Sequence, residues 1–162
     1  MQGFLVLGDA ASTDEATGKI NLLGAGWSVT GPIVSMSAVA GFLRVPWEDL
    51  GAKIRFTLRL LDEEGEPVRP CADSDGTLSF TGEITPDAEG LEPMATRVPF
   101  NLSFAIPIPP LPLVAGRVYE WVMEADETRV ASVQFVVRTE LPANGVQAET
   151  SEEALKSGSR VE

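Results

Sequence analysis

The 162-residue sequence predicts an all-β protein: an immunoglobulin-like antiparallel β-sandwich of about eight or nine strands, followed by an irregular acidic C-terminal tail. Apolar and polar residues alternate along most of the chain, which is typical of strands with one buried and one solvated face. Short turn sequences separate these runs at the spacing of a sandwich. Two sheets packed face to face bury many such one-sided strands, so this architecture is favoured.

The first half of the chain contains three predicted strands and one helical turn. Residues 3–11 and 19–29 form the first two strands, and a turn at residues 14–18 joins them into a hairpin. A third strand, residues 37–45, is richer in small residues. A proline followed by acidic residues then predicts one helical turn over residues 46–50.

The second half shows the clearest alternation. Every second residue from Ile54 to Leu60 is apolar, and the residues between them are basic or hydroxylated. Glu63-Glu64-Gly65 and Asp126-Glu127 predict turns that close hairpins. The same alternation predicts further strands in residues 78–84, 98–106, 119–123 and 133–137.

A proline-rich segment, residues 107–113, has four prolines and therefore follows an extended path that cannot join a central strand. Two interpretations stay open. The segment is either a docking ligand for an aromatic groove, with Pro109 and Pro110 in contact, or a connection between the sheets with Leu111 and Leu113 packed beneath them. The order of residues that follows is similar to the last hairpin of immunoglobulin-like domains: Leu113, Gly116, Tyr119, Trp121 and Phe135.

The charge is strongly acidic and unevenly distributed. The chain has 24 acidic and 12 basic residues, a net charge of −12, and no histidine. Nucleic acid and anionic membrane are therefore not expected as direct partners, and imidazole chemistry is excluded. Residues 62–92 carry ten acidic residues against Arg69 alone, a net charge of −9.

This acidic stretch either keeps the surface solvated and protects sheet edges, or forms a docking face for a basic partner surface. Under the second interpretation, the candidate partner-binding residues are Asp62, Glu63, Glu64, Asp73 and Asp75, together with Pro109 and Pro110.

Other motifs point away from catalysis. Asp73-Ser74-Asp75-Gly76 resembles the start of a calcium loop, but Ile84 stands where the twelfth-position glutamate is needed, so an ordinary acidic turn is favoured. Cys71 has no neighbouring base and no partner for a disulfide. Gly24 and Gly26 are followed by a β pattern rather than a helix, which indicates a bulge or close backbone approach. We expect no catalytic residue, metal or cofactor, and no enzyme activity.

Composition also predicts domain limits and location. Residues 1–139 form the sandwich, and residues 140–162 form a polar tail with no apolar periodicity. The sequence shows no signal peptide and no apolar stretch long enough for a membrane helix. We expect the protein to be cytoplasmic when made, and a later place in a virion is compatible with this.

Four segments, residues 7–11, 18–27, 45–47 and 119–121, resemble a family of unknown function. Its members are small β-sandwich proteins encoded in actinobacterial genomes and some of their phages. The resemblance spans residues 3–139. It implies an immunoglobulin-like sandwich and a phage or prophage context, and it transfers no catalytic residue.

The leading hypothesis is a non-enzymatic protein that works by contact, as an accessory subunit of a larger assembly such as a phage minor capsid or decoration protein. Its expected partners are other protein subunits, including one with a basic surface, and a homo-oligomer is compatible. The alternative is a cytoplasmic protein that binds a small ligand or calcium through loops in residues 62–92. A third possibility, an enzyme, requires a buried carboxylate pair.

Overall fold

A computed structural model describes residues 1–14, 16–69, 76–86 and 97–140. These residues confirm the all-β class, with ten strands where eight or nine were expected, and the described part contains no helix long and apolar enough to cross a membrane. A 3-10 turn at Trp47–Asp49 confirms the predicted helical turn. The strands are β1 (Gln2–Gly8), β2 (Ala10–Thr13), β3 (Ile20–Leu23), β4 (Val29–Thr30), β5 (Ser37–Val45), β6 (Ile54–Asp62), β7 (Ser79–Ile84), β8 (Phe100–Ile108), β9 (Val118–Ala125) and β10 (Thr128–Val137).

Two sheets form the sandwich. The three-stranded sheet has the order β1-β5-β8, and the five-stranded sheet has the order β4-β10-β9-β6-β7. The antiparallel neighbours β10-β9-β6-β7 correspond to the G, F, C and C′ strands of immunoglobulin domains, and β1-β5-β8 to strands A, B and E. The immunoglobulin-like prediction is thereby confirmed, except that β4 pairs in parallel with β10 rather than antiparallel.

The predicted strand over residues 19–29 is wrong as one element, because it is divided into β3 and β4. The chain turns between them at Gly24 and Gly26, whose φ angles of 59° and 87° are in the left-handed region. A Cβ atom on Gly24 would overlap the Asp9 side chain, so the expected close backbone approach is confirmed. The predicted strand over residues 3–11 is likewise divided, at Asp9, into β1 and β2.

A two-stranded ribbon, β2-β3, lies against β5 and β8. It covers the face of the three-stranded sheet that points away from the core, and Ala38 and Ala40 on that face are buried. The Ser103 hydroxyl donates a hydrogen bond of 2.6 Å to the Gly18 carbonyl at the ribbon's turn. This cover explains why β5 carries small residues on a face that would otherwise be wet.

The core lies between the two sheets. Leu7, Val39 and Leu43 enter it from one sheet, and Leu58 and Met123 enter it from the other. The rings of Phe104 and Phe56 stack with centroids 5.4 Å apart. Each ring covers a glycine of a neighbouring strand: Gly41 lies under Phe104, and Gly82 lies under Phe56. A Cβ atom at either position would overlap the ring, so neither position has room for a side chain.

The last hairpin has the predicted immunoglobulin-like features. The Tyr119 hydroxyl accepts a hydrogen bond of 2.9 Å from the Val114 N–H, five residues upstream, as in a tyrosine corner. Its ring stacks on Phe135 at 5.8 Å. Asp126 and Glu127 have φ angles of 47° and 64°, the left-handed pair of a two-residue hairpin turn.

Candidate functional site

The acidic hairpin, residues 62–66, follows β6 as predicted. Its backbone closes through hydrogen bonds from the Asp62 N–H to the Glu66 carbonyl, 2.9 Å, and from the Gly65 N–H to the Asp62 carbonyl, 3.0 Å. The Asp62 carboxylate accepts from the N–H groups of Glu64, 3.1 Å, and Glu66, 2.8 Å. The side chain of Asp62 is half-buried and shapes the turn.

The next two acidic residues of the hairpin are paired within the chain. The Arg117 guanidinium lies 2.9 Å from a Glu63 carboxylate oxygen and 3.0 Å from a Glu64 oxygen. The hydrogen bond from Arg117 to Glu64, and then the charges of Glu64 and Glu63, raise the pKa of Arg117. These groups are exposed, so the pairs order the hairpin tip more than they stabilise the fold.

Pro107 and Ile108 are the last two residues of β8, an edge strand, and residues 109–113 form a connection between the two sheets. Leu111 is buried and forms an isolated bridge with Val34, its N–H donating to the Val34 carbonyl at 3.3 Å, and Leu113 is half-buried. Pro109 and Pro110 are exposed. A docking role for these two prolines stays a prediction.

The acidic hairpin and the end of the proline-rich connection lie at the same end of the sandwich. Asp62 is opposite Tyr119 in the β6-β9 register, and Tyr119 in turn holds Val114. Two of the predicted partner-binding residues, Asp73 and Asp75, lie outside the described residues, as does Cys71. Within the described ranges, no three Asp, Glu or Cys side chains are grouped to hold a metal ion, and calcium binding by the wider 62–92 region stays a prediction.

A pocket of about 500 Å³, which no sequence motif indicated, lies at the other end of the sandwich. We call it the Arg-Trp pocket; its lining includes Arg44, Trp47, Arg97 and Val98. The Trp47 Nε1–H donates to the Val98 carbonyl at 2.7 Å, and its ring lies edge-on to Phe100 at 6.0 Å. These two contacts hold the indole in place as one wall of the pocket.

The two arginines of the pocket differ from most others in the described chain. Arg55, Arg59, Arg117 and Arg129 each pair with a glutamate, whereas neither pocket arginine forms an ion pair with a described residue. The cross-strand neighbours of Arg44 are the neutral amides Gln2 and Asn101. Nothing beside Arg44 on the sheet therefore neutralises its charge.

An apolar surface extends over residues 23–36, between β3 and β5. Leu23, Ile33 and Met36 are 69%, 82% and 67% exposed. A cleft of about 340 Å³ lies within this stretch; Met36, Val29 and Trp27 line it together with polar residues, and Leu23 and Ile33 lie outside its lining. The indole N–H of Trp27 is buried and makes no hydrogen bond with a described residue. We call this region the 23–36 surface.

Comparison with known proteins gives a family but no activity. No curated protein matches the chain. Among solved structures, a glycosyl hydrolase family 2 member from Bacteroides cellulosilyticus is similar with 12% identity and a TM-score of 0.36, over 64% of this chain and 12% of that one. A likeness this weak carries no argument about function.

A family model described as a family of unknown function matches residues 3–138. This span nearly coincides with the 3–139 over which the sequence resembles an uncharacterised family, and it confirms that part of the resemblance. Because the model covers most of the chain, the protein belongs to the DUF6941 family.

Proposed function

We propose that this protein is a non-enzymatic interaction domain that works as an accessory subunit of a larger assembly. The specific form of the proposal is a minor capsid or decoration protein of a phage particle. The phage context rests on the sequence resemblance to proteins of actinobacteria and their phages. Other protein subunits are the partners, and the protein moves from the cytoplasm where it is made into the particle.

The observation that carries this proposal is the 23–36 surface. Ile33, Leu23 and Met36 each expose about two thirds or more of their surface within fourteen residues of chain. Single exposed apolar residues are common, but a concentration of large ones in one short segment is typical of protein contact sites. Burying such side chains against a partner contributes roughly 25 cal/mol per Å² of apolar area removed from water.

The experiment compares particle association of the wild-type protein with that of an Ile33→Asp, Met36→Asp double variant. Purified particles from the native host are analysed by mass spectrometry, and the lysate is analysed by size-exclusion chromatography with mass measurement. We expect the wild-type chain in the particle fraction and the double variant as free protein, because two carboxylates would have to be desolvated in the contact.

A matched control carries the same added charge elsewhere. Ser79 and Thr81 are exposed on β7, so Ser79→Asp, Thr81→Asp tests charge alone and is expected to associate like the wild type. A wild-type chain found only as a free monomer and missing from particles would show that the proposed function is wrong. Equal particle occupancy of the Ile33→Asp, Met36→Asp variant would remove the 23–36 surface from the contact.

A further inference from the structure

We propose that the Arg-Trp pocket of one copy binds the acidic hairpin of a second copy, so that copies join head to tail. This inference rests on the proposed function, since it names one of the subunit contacts by which the protein would work. It is independent of the 23–36 surface, which would face the rest of the assembly.

The pocket has the chemistry of a carboxylate site. Arg44 and Arg97 present two guanidinium groups without a carboxylate partner among the described residues, in a chain whose net charge is −12. Guanidinium forks bind carboxylates with two parallel hydrogen bonds. The fixed ring of Trp47 and the exposed Val98 supply an apolar wall for the methylene groups of a glutamate side chain. A volume of about 500 Å³ lies within the range of ligand-binding clefts.

The acidic hairpin has the complementary chemistry and is ordered before contact. The backbone turn is fixed by the carboxylate of Asp62, and Glu63 and Glu64 are held by Arg117. Glu66 is exposed and has no ion pair with a described residue. A carboxylate has about four lone-pair sites, so Glu64 can accept a second guanidinium while it keeps Arg117. Pre-ordered groups lose less entropy on binding.

The two features lie at opposite ends of one copy, so they cannot meet within it. The chain passes from β5 through the Trp47 turn into β6, and the hairpin follows the far end of β6. The nine residues of β6 span roughly 30 Å at about 3.3 Å per residue. A contact between unlike ends is heterologous, and its repetition closes a ring or extends a row of subunits.

Long-range repulsion between two acidic copies does not prevent this contact at moderate salt. The Debye length is about 8 Å near 0.15 M ionic strength, so charges elsewhere on the two surfaces are largely screened. Pairs in direct contact within the pocket are screened much less. The balance therefore favours association at moderate salt, with loss of the ion-pair contribution at about 1 M.

The test is a charge-reversal exchange on the full chain, measured by sedimentation velocity over a concentration series at about 0.15 M salt. We expect the wild-type mass to rise with concentration. An Arg44→Glu, Arg97→Glu variant and a Glu64→Lys, Glu66→Lys variant should each self-associate at least about tenfold more weakly. An equimolar mixture of the two variants should associate again, because each supplies the end that the other lacks.

The control variant Ser79→Glu, Thr81→Glu adds negative charge at exposed sites on β7, away from both the pocket and the acidic hairpin, and it should associate like the wild type. Circular dichroism and thermal melting confirm that each variant is folded. A wild-type chain that stays monomeric at every concentration, or a variant mixture that stays monomeric, overturns the inference. A monomeric chain that is still found in particles overturns this contact and leaves the proposed function standing, so the two failures are distinguishable.

Discussion

Replacing Tyr119 by phenylalanine removes one hydrogen bond and leaves the packing of the last hairpin intact. Tyr119 is 4% exposed, and phenylalanine fills the same space without a cavity. The lost partner is the Val114 N–H, 2.9 Å away, in a part-buried hydrogen bond of a residue that is 60% exposed. Because Val114 is largely exposed, we expect water to replace the hydroxyl as the partner of this N–H. We therefore expect a loss of about 1 kcal/mol, within the 0.5–1.5 kcal/mol of an ordinary hydrogen bond, rather than the 1–3 kcal/mol of an orphaned donor.

Urea unfolding followed by tryptophan fluorescence measures this loss, and a melting temperature lower by about 2–4 °C should accompany it. Hydrogen exchange of the Val114 amide gives the local readout, because this amide should lose protection beyond the global loss of stability. Phe135→Leu is the control, since it disrupts the ring stack at 5.8 Å but keeps the hydroxyl. Tyr119→Phe with unchanged stability and an equally protected Val114 amide would refute the tyrosine-corner argument.

Two other predictions concern turns and packing. Gly41→Ala should destabilise the fold by about 1–3 kcal/mol in urea unfolding, because the added Cβ overlaps the Phe104 ring. Gly31→Ala, whose Cβ would make only an ordinary contact of 3.8 Å with the Ile33 carbonyl oxygen, should be near neutral, and equal effects would contradict the argument. The Thr17 hydroxyl and then the Ala16 N–H hold the pKa of Asp14 below its ordinary 3.8. The stability from this carboxylate is complete above about pH 3.8 and is lost as the pH falls through the lower folded value. Carboxyl NMR shifts of Asp14 check this, and a midpoint at or above 3.8 would contradict it.

The strands were predictable wherever one face is buried and the turn is local. The alternation over residues 53–60 gave β6, observed at Ile54–Asp62, and Asp126-Glu127 gave the β9-β10 turn. In both cases the signal lies within about ten residues of sequence. The alternation of apolar and polar residues and the types of residue in turns are properties of the local chain. They can therefore be read from the sequence without knowing which strands are neighbours in the fold.

The β2-β3 ribbon and the parallel strand β4 were not predictable in the same way. No proline or charged residue interrupts residues 20–29, and the break depends on the backbone hydrogen bond from the Gly26 N–H to the Leu7 carbonyl, 2.8 Å. A left-handed glycine is permitted by sequence but not required by it. The direction of β4 is fixed by its pairing with β10, more than a hundred residues later.

The charges of the candidate site show the same limit, because the local sequence does not reveal which charged residues meet in the fold. The sequence located the acidic hairpin correctly, yet it could not show that Asp62 bonds its own turn or that Glu63 and Glu64 meet Arg117, more than fifty positions away. The proposed docking face therefore has fewer free carboxylates than the residue count suggests. Which of these carboxylates remain unpaired depends on Arg117, which lies directly before β9.

A stretch of sequence with no net charge can still contain charged residues that stay unpaired in the fold. For this reason the charge pattern of the sequence did not indicate the Arg-Trp pocket. Residues 1–61 have five acidic and five basic residues, so their net charge is zero. On the sheet, Arg55 is opposite Glu83 and pairs with it, whereas Arg44 is opposite Gln2 and Asn101 and pairs with neither. Cross-strand register decides which charges cancel. Register also brings Arg97, just before β8, to the end of β5, so two cations separated by fifty-three positions share one pocket in an acidic protein.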